Sequence, residues 1–162
     1  SVAYLVEHEP RFGVVYNPVT DESFYAAKGS GAFLNGTQLP LRPASKRLAE
    51  SVAGVDFKRV GPTLGDELAH RPPYYSQRNF GSSALEWCFV AAGRLDVYLH
   101  GGQMLWDHAA GQLILAEAGG IGAALDGGPL MEGPGRKRAV IAAASRDLFD
   151  EWRGRIDAHT PP

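Results

Sequence analysis

Cysteine is almost missing from the chain. Cys88 stands alone among 162 residues, so no internal disulfide can form and a thiolate zinc site has no support. A reducing, cytoplasmic setting is therefore expected. Net charge is also scarce, at -2, which gives no general attraction to nucleic acid. The short run Arg136-Lys137-Arg138 reads as a solvated loop. No apolar run reaches the about 20 residues that cross a bilayer, and the first residues do not resemble a signal peptide. Neither a nucleic acid nor a membrane is expected as a partner. The five histidines show no metal-ligand spacing, and no G-x-S-x-G elbow announces a serine hydrolase. Repeats and low-complexity tracts are absent as well.

What remains is ordinary for a globular protein: 44% apolar and 21% charged residues, enough chain for one domain or a large piece of one. The sequence opens as SVAYLVEHEP, inside a strand pattern with no initiator Met, which leads us to expect a fragment of a longer protein. Residues 1–40 read as antiparallel strands around Val2–Val6, Phe12–Tyr16 and Ser23–Ala27, with KGSGAFLNG as a glycine-rich bend. That stretch is no dinucleotide loop, because Leu34 stands at the third glycine position and Asn35-Gly36 makes a turn where a helix should start. From about residue 44 strands and helices alternate. Strands are expected at 51–55, 74–79, 95–99, 121–125 and 139–143. Helices are expected at 63–70, 82–92, 106–118 and from Ser145, where Leu148, Phe149, Trp152 and Ile156 fall at helical spacing. The class is α/β: residues 1–43 form a remnant of an antiparallel sheet, and residues 44–162 a mixed α/β sheet flanked by helices.

Two places invite chemistry. Asp107 sits at the start of the otherwise apolar helix WDHAAGQLILAE. Taken by itself it reads first as a cap for the free N–H groups. Gly111, one turn along on the same face, clears space for something to approach. A carboxylate at a strand-to-helix junction is also where ligands of α/β sheets gather, and hard cations such as Mg²⁺ take carboxylate oxygens. Gly81-Ser82-Ser83-Ala84 opens another helix, whose N–H groups and hydroxyls suit an anion or sugar hydroxyls, or mere serine capping. Asp96 reads as structural, and Glu117 as a buried, satisfied carboxylate without a role.

Together these stretches carry a resemblance. GSSALEWCFVAAGRLDVYLHGGQMLWDHAAGQLILAEAGG is similar to the C-terminal signature of the inositol monophosphatase family: G-S-x-A, A-x-G-x-x-D-x-Y, W-D-x-A-A-G and E-A-G-G. Upstream, GVVYNPVTDESFYAAKGSGAFLNG resembles the same family's segment ending in G-x-G-A-x-x-N-G. The likeness runs from about residue 2 to the final helix.

The resemblance implies the layered α+β sugar-phosphatase fold, in part, and a Mg²⁺-dependent phosphomonoesterase that acts on inositol phosphate or a related sugar or polyol phosphate. It implies a homo-oligomer, such as a dimer. Asp107 becomes a metal ligand that also contacts substrate, and Gly81, Ser82 and Ser83 line the hydroxyl side of the pocket. Two departures matter. The family's Glu-Glu helix and D-P-[IL]-D-G-T loop have no counterpart here, so this chain is expected to be inactive by itself. And His100 stands where inositol-specific members carry a Glu, so it joins the substrate-binding candidates and puts inositol phosphate itself in question. A sibling activity on histidinol phosphate or a nucleotide phosphate is the nearest rival. A short non-catalytic homologue used for binding or assembly is the alternative from another class.

Overall fold

The computed structural model describes residues 1–40, 42–45, 47–131 and 135–159. Five strands, β1 (Val2–Val6), β2 (Glu9–Asn17), β3 (Glu22–Ala27), β4 (Ala32–Leu34) and β5 (Thr37–Gln38), form an antiparallel meander in chain order. The glycine-rich stretch supplies its turns. Gly29 and Gly31 take positive φ between β3 and β4, and Asn35 and Gly36 do so between β4 and β5, a conformation cheap for glycine and tolerated by asparagine.

The second sheet is mixed. It comprises β6 (Val52–Asp56), β7 (Ser76–Arg78), β8 (Val97–Gln103), β9 (Ile121–Ala124) and β10 (Arg138–Ala143), in the order β7-β6-β8-β10-β9. β6 runs parallel to β7 and β8, while β10 is antiparallel to β8 and β9. Four helices complete the chain: α1 (Pro62–His70), α2 (Ser83–Ala91), α3 (Leu105–Glu117) and α4 (Arg146–Asp157).

Strand alternation sorts the layers. Val97, Leu99, Ile141 and Ala143 point to one face of the mixed sheet and pack with Leu64 and Leu68 of α1 and Leu148, Phe149, Trp152 and Ile156 of α4. Tyr98, Val140 and Ala142 point to the other face, where α2 and α3 lie between the two sheets against Val15, Phe24 and Ala26 of the meander. Both helices are apolar nearly all round because each is covered on both sides.

The space between α2 and α3 is set by glycine. A Cβ on Gly111 would lie 2.4 Å from Trp87 Cβ, and one on Gly122 would lie 2.4 Å from the Trp87 ring. So the room at Gly111 admits a neighbouring helix, not a ligand. Gly111→Ala should lower the melting temperature by several degrees. The overlap costs about 1–3 kcal/mol, more than the about 1 kcal/mol that alanine gains over glycine in helix propensity. Thermal unfolding followed by circular dichroism reads this directly, and an unchanged midpoint would show that the helices part easily.

Several expectations need correction. Arg138 does not belong to a solvated loop: it opens β10, is buried, and donates from Nη2 to Asp126 Oδ1 at 2.8 Å. β8 runs four residues past Leu99, through His100-Gly101-Gly102 to Gln103. The glycines that argue against a strand there permit a close crossing, since a Cβ on Gly101 would meet the Arg59 carbonyl oxygen at 1.5 Å. Glu117 is half-buried, and satisfied: its two oxygens accept the N–H groups of Gly29 and Gly31, each at 2.8 Å. Asp96, by contrast, is structural as expected, accepting from the Ser45 and Val52 N–H groups.

The far face of the meander is apolar and open. Tyr4 is 63% and Phe12 43% exposed, with Val2, Val6 and Tyr16 beside them, and Tyr4 pairs with Phe12 in the register. Such a face next to an unpaired edge strand favours association. This chain should therefore sediment as concentration-dependent oligomers and bind an apolar dye; a clean monomer without dye binding would contradict this. Among the described residues, no helix is long and apolar enough to cross a membrane.

Candidate active site

β6 and β8 are parallel neighbours, and their register makes Asp56, the last residue of β6, the direct partner of His100 in the middle of β8. Beyond β8 the chain turns through Met104 into α3, and α2 begins nearby. The result is a cavity of about 620 Å³ whose lining includes Asp56, Arg59, Gly81, Ser83, His100 and Asp107. It lies at the carboxyl ends of parallel strands, where α/β sheets leave a crevice. All five residues singled out in the sequence, Gly81, Ser82, Ser83, His100 and Asp107, line it.

Asp107 is the third residue of α3. Its Oδ2 accepts the Met104 N–H at 2.9 Å, and its own N–H donates to the Met104 carbonyl. That is a capping arrangement. Among the described residues Oδ1 has no hydrogen-bond partner, so one oxygen holds the helix and the other is unengaged, on a residue that lines the cavity.

The second element is the turn into α2. Gly81 has φ +74° and donates its N–H to Asn79 Oδ1 at 2.9 Å. Ser82 takes the cap position, yet its side chain makes no capping bond. Its hydroxyl is thus left for another partner, beside the N–H groups that open the helix. Glu86, buried one turn on, accepts the Phe80 N–H at 2.8 Å and pins the loop. Burial raises its pKa, partly offset by that N–H.

His100 is fully engaged. Its Nδ1 accepts the Gly102 N–H at 3.1 Å, which leaves the proton on Nε2, 3.2 Å from Asp56 Oδ2. Burial pulls the imidazole below its ordinary pKa, with the Asp56 carboxylate opposing, so the ring is neutral at pH 7. Neither nitrogen is left for a ligand. Asp56 itself also accepts from the Lys58 N–H and from Arg59 Nη1. His108, next to Asp107, is buried, and burial brings its pKa down to about 4.

Sequence reading missed Asp56, Lys58, Arg59 and Glu86. One signal was available: Asp56 ends the apolar strand VAGVD, and a carboxylate at such a strand end borders the crevice. Among the described residues, no group of three or more acidic, histidine or cysteine side chains converges to hold a metal ion. Asp107 Oδ1 fits one ligand position of a hard cation, but the described residues do not make a complete site.

Residues 1–157 match the model of the inositol monophosphatase family. The chain belongs to that family. It is 36% identical over 158 residues to Nus factor SuhB of Haemophilus influenzae, covering 90% of this chain and 55% of that protein. With inositol monophosphatase 2 of Solanum lycopersicum it shares 39% identity, over 92% of this chain and 58% of the relative. The fold superposes on Staphylococcus aureus SaIMPase-II bound to inositol monophosphate with a TM-score of 0.84 at 28% identity, over 96% of this chain and 60% of the other. The same enzyme bound to 2'AMP gives 0.83 at 29% identity, over 95% and 59%. This inositol monophosphatase family chain thus spans somewhat over half the length of the curated relatives it matches.

Proposed function

We propose that residues 1–162 carry the substrate side of a Mg²⁺-dependent phosphomonoesterase whose remaining metal carboxylates come from outside this chain. The observation that carries this reading is Asp107: its Oδ2 is fixed by the Met104 N–H, its Oδ1 has no hydrogen-bond partner among the described residues, and the residue lines the cavity together with Gly81, Ser82 and Ser83. Mg²⁺, when bound, would polarise the phosphate and activate a water. This chain's residues do the rest of the binding. Asp107 holds a negative charge at a fixed place. The N–H groups and the unpaired Ser82 hydroxyl at the start of α2 meet hydroxyls of the substrate. His100 contributes its ring as a wall of the pocket, neutral and closed to further hydrogen bonds.

The substrate class is a sugar or polyol phosphate, supported by the inositol monophosphate bound to SaIMPase-II. A nucleotide monophosphate is the second reading, favoured by the 2'AMP complex of the same relative. The test joins residues 1–162 with the segment that supplies the other carboxylates, then follows phosphate release from both substrates across a Mg²⁺ titration. Metal-dependent release supports the reading. No release from any phosphate monoester, with the fold intact, would leave a binding or assembly module, the role suggested by a relative named as a Nus factor.

A further inference from the structure

The family resemblance places a carboxylate at position 100, and this chain has His100 there instead. A carboxylate nevertheless reaches the cavity, from the neighbouring strand. Asp56 and His100 are partners in the parallel pairing of β6 with β8. Both are nearly sealed from solvent, at 7% and 4% exposure, and both line the cavity with Gly81, Ser82 and Ser83.

We propose that Asp56 accepts a hydroxyl of the substrate's polyol portion and that His100 is its positioning residue, an assignment that rests on the phosphatase reading above. The hydrogen bonds around Asp56 leave room for one more donor. Its Oδ2 takes His100 Nε2 at 3.2 Å and Arg59 Nη1 at 2.5 Å, which fills that oxygen. Among the described residues its Oδ1 takes only the Lys58 N–H, at 3.1 Å, and a carboxylate oxygen accepts two bonds. His100 in turn cannot swing away, because its Nδ1 is held by the Gly102 N–H. So the ring fixes the plane of the carboxylate and offers the ligand nothing of its own.

The charge around this oxygen narrows the ligand class. Arg59 already balances the Asp56 charge, and Lys58, an exposed residue, lines the same cavity. An ammonium group arriving at Asp56 would meet a neutralised carboxylate and a nearby cation. A neutral hydroxyl needs only the spare lone pair. The group that reaches Asp56 is therefore a neutral hydroxyl, not the ammonium of an amino alcohol.

The experiment uses the complete phosphatase, residues 1–162 with the segment supplying the other metal carboxylates. Kinetics are measured on inositol monophosphate, on an amino-alcohol phosphate, and on p-nitrophenyl phosphate, which has no hydroxyl to place. Asp56→Asn should raise KM for inositol monophosphate about tenfold or more, the usual effect of losing a hydrogen bond to a charged group, a loss much larger than any change in kcat/KM for p-nitrophenyl phosphate. The double variant Asp56→Asn with His100→Glu returns the carboxylate to the adjacent strand and should recover most of the lost affinity. A structural role for Asp56 would instead damage both substrates equally and show no rescue, which overturns the proposal. Equal KM for inositol monophosphate in wild type and Asp56→Asn overturns it too, as does a wild-type preference for the amino-alcohol phosphate. If the wild type hydrolyses p-nitrophenyl phosphate but no polyol phosphate, this proposal falls while the phosphatase reading stands; if it hydrolyses nothing, that reading falls first.

Discussion

Asparagine in place of Asp107 is expected to cut turnover of the complete phosphatase by about 100-fold or more, the scale of removing a charged group from an active site. The same change should hardly alter the melting temperature. Asp107 Oδ2 accepts the Met104 N–H, and an asparagine carbonyl accepts that bond about as well. What is lost is the charge and the ligand strength of the oxygen that the Met104 bond leaves unengaged. Measuring melting temperature and Mg²⁺-dependent turnover on one preparation separates the two roles of the side chain. A lowered midpoint with unchanged turnover would leave Asp107 a helix cap and nothing more.

The second large effect concerns residues 1–162 alone. They should release no phosphate from inositol monophosphate or p-nitrophenyl phosphate above background at any Mg²⁺ concentration. The reason is the ligand count around Asp107: among the described residues no cluster of three acidic, histidine or cysteine side chains forms, and a catalytic Mg²⁺ needs more than one carboxylate with its waters. A sensitive phosphate-release assay on the purified chain decides the matter. Robust turnover abolished by Asp107→Asn would mean that the ligands come from within this chain.

Much of the fold could be read from residue order, because the strongest patterns were also the most local. The alternation in β1 to β3 and the apolar spacing of Leu148, Phe149, Trp152 and Ile156 identify their elements without knowledge of neighbours. β8 was read too short for the opposite reason. His100-Gly101-Gly102 lacks strand propensity, and its extended form depends on β6 and β10 on either side and on the passage of Arg59 across Gly101. Gly111 was misread for want of the same information, since only the packed structure reveals Trp87 above it.

The cavity divides likewise. Asp107 and the Gly81–Ser83 turn lie in recognisable motifs, and their chain positions bring them to the same crevice. Asp56 lies in no such motif. Its presence there follows from a parallel pairing between strands separated by α1, β7 and α2, a long-range contact that no local pattern reports. His100 was identified as a position but not as a state: that both its nitrogens are occupied depends on Gly102 and Asp56 together.

The grip of Glu117 on Gly29 and Gly31 has a mechanical consequence. α3 has Asp107 in its first turn and Glu117 as its last residue, and a 13-residue helix is a rod about 20 Å long. One end is bolted to the turn between β3 and β4 by two hydrogen bonds. The other carries Asp107, which lines the cavity. Packed helices behave as units rather than bending, so the position of Asp107 is set together with the packing of α3 on the meander. The meander and the cavity wall thus share one rigid element, tied at its last residue and contributing Asp107 from its first turn.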